Sequence, residues 1–232
     1  MEEMFSSIEI ERKRSAQASV FRQMYIWMTL ALAITGITAL VVSGNDRIMY
    51  ELLSNRALFW GLMIAEIVLV IFLAARVQKM SLGAATIAFI IYSVLNGVCM
   101  SVLFLVYTSE SIASTFFITA GTFGITSLYG FVMKKDLSSW RNLLVMALIG
   151  LIIASIVNIF LESNAMYWII SYAGVIIFTG LAAYDTNRFK KIIYGNDVTE
   201  MSYKYALLGA LELYLDFVNM FIYLLRILGD RR

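Results

Sequence analysis

Acidic side chains lie within the most apolar segments of this 232-residue chain. Glu212 and Asp216 are four residues apart in segment 206–228, so a helix places both carboxyl groups on one face. Asn219 continues that face one turn later, and Asp185 closes the preceding apolar segment. A carboxylate at bilayer depth costs at least a few kcal/mol unless it is protonated, paired or hydrated. These residues are therefore the first candidates for chemistry.

Two carboxyl groups support two kinds of chemistry at this depth. If Asp185 and Asp216 lie close together in a medium of low dielectric, both cannot easily ionise, and the pair can share one proton. The chain contains no histidine, so proton sensing would fall to carboxyl groups. When ionised, the same two residues offer hard oxygen ligands to Ca²⁺, with Asn219, main-chain carbonyls or water completing the shell. The pattern predicts a pH sensor and a candidate Ca²⁺ site.

Two further charged residues belong to the second apolar segment. Glu66 lies well inside it, and the structural interpretation of a single acid at this depth is a neutral carboxylic acid that bonds a neighbouring helix. Arg76 lies at the end of the segment and is the best candidate for a basic latch that competes with cations for the acids. Snorkelling of Arg76 to the interface is the alternative.

Composition places all these residues in a membrane protein. Hydrophobic residues make up 61% of the chain and charged residues 15%, whereas soluble domains have roughly 45–50% and 25%. Long apolar runs without alternation favour an all-α integral membrane protein over a barrel. The single cysteine, Cys99, excludes an intramolecular disulfide. The net charge of +2 gives no indication of a nucleic-acid partner.

Seven apolar segments are close to the ~20 residues that cross a bilayer core. We predict a seven-transmembrane helix bundle with the spans 22–43, 56–75, 82–106, 112–133, 141–161, 165–185 and 206–228. No small-residue cleavage site follows the first of them, so we expect an uncleaved helix. Short connections predict a single transmembrane domain over 22–232, preceded by a polar cytoplasmic segment over 1–21.

The distribution of basic residues predicts the orientation. With the N-terminus in the cytoplasm, the inner segments carry 13 Lys and Arg residues and the outer segments carry 5. The exception is the C-terminal end of the chain, where Arg226, Arg231 and Arg232 would lie outside. Either the last segment spans the membrane and leaves these arginines outside, or it re-enters and returns.

Several small and polar residues predict helix contacts. Asn96 and Asn158 are amides inside apolar segments, which predicts hydrogen bonds between helices. Asp136 or Ser138 is expected to cap the fifth transmembrane helix. Small residues indicate close helix packing at three places, which are Gly97 with Ser101, Gly121 with Gly124, and Gly174 with Gly180.

Four sequence pieces together resemble the Bax inhibitor-1 family, namely FTGLAAYDTNRFK, LELYLDFVNMFIYLLRILG, FVMKKDLSSW and IVNIF. The resemblance covers nearly the whole chain. It implies six helices around a central last helix, and a pH-sensitive Ca²⁺ leak. It also implies that Asp185 and Asp216 form the pH sensor and that Glu66 belongs to the ion pathway.

The match is less direct at two other positions. The family's latch arginine falls on Val77, one residue after Arg76, and one residue is a rotation of roughly 100° on a helix. Glu212 has no counterpart in the family pattern, and we predict that it is an additional acid of the ion pathway, together with Asn219.

Other functions fit the same acids. A proton-coupled exporter of Ca²⁺ or another solute would use them for coupling, and a regulator of a membrane protease would need a partner surface that the sequence does not mark. An intramembrane aspartyl protease is disfavoured because Asp216 follows Leu213-Tyr214-Leu215 and not Gly-x-Gly. We therefore predict a non-enzymatic bacterial inner-membrane protein, with no resident cofactor, that contacts the lipid bilayer, Ca²⁺ and protons.

Overall fold

The computed structural model describes the backbone of residues 2–232 and the side chains of residues 7–232. Over this range the regular secondary structure is entirely helical, with no strand. Short 3₁₀ turns over Val77–Lys79 and Leu137–Ser139 precede two of the helices. The α-helices of the described residues are α1 (Glu2–Ser43), α2 (Asp46–Ser54), α3 (Arg56–Arg76), α4 (Leu82–Met100), α5 (Leu103–Val106), α6 (Ser109–Val132), α7 (Trp140–Leu161), α8 (Asn164–Tyr194) and α9 (Glu200–Leu228).

Seven helical segments of the described residues are long and apolar enough to cross a membrane, which confirms the predicted class. The last of them is also the most buried. In its most apolar window 61% of the residues are buried, compared with 6–33% in the other six segments. The last segment is therefore the spanning segment with the smallest exposed share.

Helix α9 is long enough to span the membrane. It is one continuous helix of 29 residues, which at a rise of about 1.5 Å per residue is roughly 43 Å long. This length exceeds the ~30 Å of a hydrocarbon core, and a re-entrant segment would need a break in the helix. The continuous helix favours a spanning segment over a re-entrant one, and the side on which the arginines lie stays a prediction.

Two helices extend beyond the apolar segments that predict the spans. Helix α1 begins at Glu2, so the polar segment predicted over 1–21 is helical from that residue and continuous with the first span. Helix α8 continues to Tyr194, so Asp185, which closes the apolar segment, lies within the helix. The reason is that apolarity marks contact with lipid, whereas Lys and Arg are good helix formers and are favourable near a helix C-terminus.

The chain divides into two compact units. Unit 1 comprises Met1–Val106 and Phe189–Tyr214, and unit 2 comprises Tyr107–Arg188 and Leu215–Arg232. The predicted site residues divide in the same way. Unit 1 contains Glu66, Arg76 and Glu212, whereas unit 2 contains Asp185, Asp216 and Asn219.

In unit 1, helix α1 packs closely on α4. A Cβ atom on Gly97 would lie 2.6 Å from both the Thr35 carbonyl oxygen and the Thr38 Cβ, so only glycine fits at this crossing. Thr35 donates a hydrogen bond to the Ser93 carbonyl (2.9 Å), and its hydroxyl lies 2.7 Å from that of the buried Tyr214. The hydroxyl chain links α1, α4 and α9 within the apolar core.

The polar start of α1 is attached to the connection between α8 and α9. Buried Gln17 donates from Nε2 to two carbonyl oxygens. One belongs to Tyr194, the last residue of α8 (3.1 Å), and the other to Asn196, which follows the helix (2.7 Å). The Lys13 ammonium lies 2.6 Å from Asp197 Oδ1 and lowers the pKa of that carboxyl group. These contacts explain why the predicted polar segment is ordered as helix.

In unit 2, close packing occurs at Gly174 and Gly180. A Cβ atom on Gly174 would lie 2.5 Å from the Tyr223 ring, and one on Gly180 would lie 2.9 Å from Leu144. The prediction of close packing is confirmed for these glycines and for Gly97. It is wrong for Gly121 and Gly124, which have open space where a Cβ atom would be.

The polar residues predicted to cap or bridge helices have mixed outcomes. Asn96 does bond across helices, from α4 to α3. Asn158 does not, because its Oδ1 accepts from the Ser163 amide (3.1 Å) just after its own helix. Asp136 caps the 3₁₀ turn that precedes α7, accepting from the Ser138 amide at 2.8 Å, and Ser138 lies within that turn.

Candidate functional site

Asp185 is buried on α8 beside a cation of its own helix. The residue is 7% exposed, and Arg188 Nη1 lies 3.7 Å from its Oδ1. This distance is too long for a hydrogen bond but short enough for an ion pair. The sequence analysis looked for a basic partner at Arg76 and missed Arg188. The sequence feature that could have identified Arg188 is its three-residue spacing from Asp185, which places the two side chains on one helix face.

Asp216 is buried on α9, with 4% of its surface exposed. The next residue, Phe217, packs edge-to-face on α6, with its ring centroid 5.5 Å from that of Phe116 and 5.6 Å from that of Phe123. Asn219, one turn later, donates from Nδ2 to the Leu215 carbonyl at 2.8 Å. Its amide oxygen is therefore the atom that would bind a cation.

Helix α6 has a buried face made mostly of hydroxyl groups and a glycine, which the sequence analysis missed. Thr119 donates to the Thr115 carbonyl at 2.8 Å. The hydroxyl oxygens of Thr115 and Ser127 are buried and have no protein partner among the described residues. A buried hydroxyl without a partner costs about 1–3 kcal/mol, so these groups favour contact with water or a hydrated ion. The sequence feature that could have identified this face is a hydroxyl residue at nearly every fourth position. These residues are Ser111, Thr115, Thr119 and Ser127, and Phe123 occupies the remaining position.

Asn187 holds the α6–α7 connection against α8, two residues after Asp185. It is 2% exposed, and its Nδ2 donates to the carbonyl oxygens of Gly130 (3.1 Å), Met133 (3.4 Å) and Lys135 (3.5 Å). Its Oδ1 accepts a hydrogen bond from the Leu137 amide at 3.4 Å. The asparagine therefore supplies partners to main-chain groups that follow α6, and it fixes the helix turn that carries Asp185.

The predicted site residues of unit 1 differ from one another in their surroundings. Glu66 is half-buried on α3, and its Oε1 accepts a short hydrogen bond from Nδ2 of the buried Asn96. Arg76, the last residue of α3, is exposed and forms no salt bridge with a described carboxylate. Val77, at the family's latch position, is buried. Glu212 is half-buried, one turn before Asp216. Their roles in an ion pathway or a latch remain predictions.

A Ca²⁺ ion would need ligands beyond carboxylates. Within residues 7–232, no group of three or more acidic, cysteine or histidine side chains is arranged to hold a metal ion. Ca²⁺ takes 6–8 oxygen ligands, and these include carbonyl oxygens and water as well as carboxylates. A Ca²⁺ ion at Asp185 and Asp216 would therefore need main-chain carbonyl oxygens or water among its ligands.

Comparison with known proteins gives one family and several close relatives. The family profile described as "Inhibitor of apoptosis-promoting Bax1" matches residues 17–232. "Inner membrane protein YbhL" of Escherichia coli strain K12 is 47% identical over 228 residues, covering 97% of each chain. A Borreliella burgdorferi protein is 42% identical over 206 residues, covering 88% of this chain and 89% of its own.

A Rickettsia prowazekii protein is 41% identical over 212 residues, covering 90% of this chain and 89% of its own. The Escherichia coli relative is named as an inner membrane protein, and none of these three relatives has the name of an enzyme. The seven apolar helices together with these relatives support a multi-pass inner-membrane protein.

Proposed function

Because the chain belongs to the Bax inhibitor-1 family of membrane proteins, we propose that it forms a pH-sensitive leak for Ca²⁺ across the inner membrane. Protonation of Asp185 and Asp216 gates the leak. The observation that carries this proposal is the burial of both aspartates, on two spanning helices and within one unit. A buried carboxylate is costly when ionised and unpaired, so small changes in pH shift its preferred partner.

Gating follows from competition for the carboxylates. When Asp185 is ionised, the Arg188 guanidinium is its cation partner at 3.7 Å. A Ca²⁺ ion competes with this arginine, and a proton removes the attraction for both. Arg76 remains the candidate for the basic latch. In this scheme the proton changes which cations the pair holds, and thereby the closure of the path.

The path itself would be lined with oxygen atoms. The hydroxyl groups of Thr115 and Ser127 belong to the same unit as the aspartates and are free to bond water or a cation. Hydroxyl and carbonyl oxygens are ligands that suit Ca²⁺. Glu66, Glu212 and Asn219 are the further residues that we propose for the pathway.

The deciding experiment is Ca²⁺ flux in liposomes that contain the purified protein and an enclosed Ca²⁺ indicator, measured between pH 8 and pH 6. We expect wild-type flux to depend on pH and the dependence to disappear in Asp185→Asn with Asp216→Asn. Glu110→Gln, which changes an exposed acid of the same unit, is the matched control and should retain the dependence.

Three outcomes would contradict the proposal in different ways. Absence of wild-type flux would exclude a leak. An unchanged pH profile in the double variant would exclude gating by these aspartates. Uphill accumulation of Ca²⁺ driven by an imposed pH gradient would indicate a proton-coupled transporter instead, because a leak only dissipates a gradient.

Replacement of Thr115 by valine tests the hydroxyl face of α6. Valine has nearly the shape of threonine, and the lost hydroxyl has no protein partner, so we expect stability to change by less than about 1 kcal/mol. We expect Ca²⁺ flux to fall several-fold. Thr122→Val on the same helix, whose hydroxyl bonds the Ile118 carbonyl at 2.9 Å, should leave flux unchanged. Equal flux in both variants would exclude this face from the path.

A further inference from the structure

The residues that follow α9 are fastened to the start of α6, within unit 2. The Thr108 amide donates to the Asp230 carbonyl at 3.1 Å, and the Asp230 amide donates to the Ser111 hydroxyl at 2.9 Å. Arg231 forms an antiparallel backbone bridge with the buried Tyr107. Segments outside helices are poorly ordered unless they are tied down in this way. The backbone of Arg231 is therefore held in one place.

Two guanidinium groups lie over the ring of Tyr167, in the first turn of α8. Arg231 Nη2 donates to the Tyr167 hydroxyl at 2.8 Å, and its Cζ lies 5.5 Å from the ring centroid. Arg226 Cζ lies 5.6 Å from the same centroid and 5.1 Å from that of Tyr223. The two Cζ atoms are thus at most about 11 Å apart, and both stack on aromatic rings as arginine prefers.

These two positive charges have no carboxylate partner among the side chains of residues 7–232. Neither Arg226 nor Arg231 forms a salt bridge with an acid of the described residues. Burial and the neighbouring Tyr167 raise the pKa of Tyr107, so that phenol stays neutral at physiological pH and supplies no counter-charge. The C-terminal end of α9 compensates Arg226 only in part, since a helix end carries about half a unit charge.

We propose that Arg226 and Arg231 bind the phosphate group of an anionic phospholipid. A guanidinium group binds phosphate through two parallel hydrogen bonds, and a pair of them gives a site of defined geometry. The end of a spanning helix lies at headgroup level, where Tyr and Trp are also enriched. Apolar surface for acyl chains is offered by exposed Leu228, two residues after Arg226, and by exposed Trp168 and Ile169, directly after Tyr167.

The test is a titration of the purified full-length protein in a neutral detergent, with thermal unfolding as the readout. We expect dioctanoyl phosphatidylglycerol to raise the unfolding temperature in a saturable manner, and dioctanoyl phosphatidylcholine to bind at least tenfold more weakly. Arg226→Gln with Arg231→Gln should weaken phosphatidylglycerol binding at least tenfold. Arg47→Gln, whose arginine already faces Glu51 at 3.4 Å, is the matched control and should bind like the wild type.

Each remaining outcome decides the proposal. Unchanged phosphatidylglycerol binding in the double variant would overturn the site. Saturation by sodium phosphate with equal affinity would overturn the lipid and identify a free phosphate as the ligand. If the double variant fails to fold, Arg231→Lys replaces it in the test. Lysine retains the positive charge but lacks the paired N–H donors of the guanidinium group, so this variant should still weaken binding several-fold. Because the readout is lipid binding, its failure is separate from failure of the Ca²⁺ leak.

Discussion

Alanine at Gly130 is expected to lower the free energy of unfolding by at least about 2 kcal/mol, because overpacking of a well-packed site typically costs 1–3 kcal/mol. A Cβ atom there would lie 3.0 Å from both Cα and the carbonyl carbon of Ala183, and closer still to its oxygen. Main-chain atoms cannot rotate away as a side chain does, so α6 must move away from α8. Thermal unfolding in detergent measures the loss.

The same helix offers the control for this prediction. Gly124 has nothing within 4 Å of its potential Cβ atom, so Gly124→Ala should be neutral or stabilising, by up to about 1 kcal/mol from helix propensity. Equal stability of the two variants would show that the close approach of α6 and α8 does not determine stability. Ala183 lies two residues before Asp185, so we also expect Gly130→Ala to alter the pH profile of Ca²⁺ flux.

Loss of the Asn187 side chain is the second large effect. In Asn187→Ala, the Gly130 carbonyl loses a hydrogen bond of 3.1 Å and three main-chain groups lose weaker ones of 3.4–3.5 Å. A buried main-chain group left unpaired costs about 1–3 kcal/mol, and the weaker bonds add less than that each. We expect a loss of roughly 3 kcal/mol, measured by thermal unfolding in detergent.

Two variants separate this effect from a general intolerance of substitution. Asn158→Ala removes a half-buried amide that accepts one local bond, and it should cost less than about 1 kcal/mol. Asn187→Asp keeps the acceptor for the Leu137 amide but loses the donor and brings negative charge to three carbonyl oxygens. We expect it to be less stable at pH 7 than Asn187→Ala. If Asn187→Ala unfolds at the wild-type temperature, the asparagine does not hold the α6–α7 connection.

The sequence by itself was sufficient for the class of protein and for the residues that carry unusual charge. Long apolar runs determine spanning helices because an unpaired backbone cannot exist in lipid. An acid or amide inside such a run stands out for the same reason, so Asp185, Asp216, Glu66 and Asn96 were identifiable without coordinates. The prediction that Asn96 bonds across helices was correct because a buried amide in lipid must find a partner.

Only the tertiary structure decided which partners these groups have. Gly124 and Gly130 are alike in sequence, yet only Gly130 meets another backbone, because contact depends on which helix crosses at that level. Asn187 lies in a charged stretch, and its function becomes visible only when the turn after α6 lies against it. The three-residue spacing of Asp185 and Arg188 shows that they share a helix face, whereas the burial of Asp185 beside that arginine depends on the packing of other helices, which hydropathy does not encode.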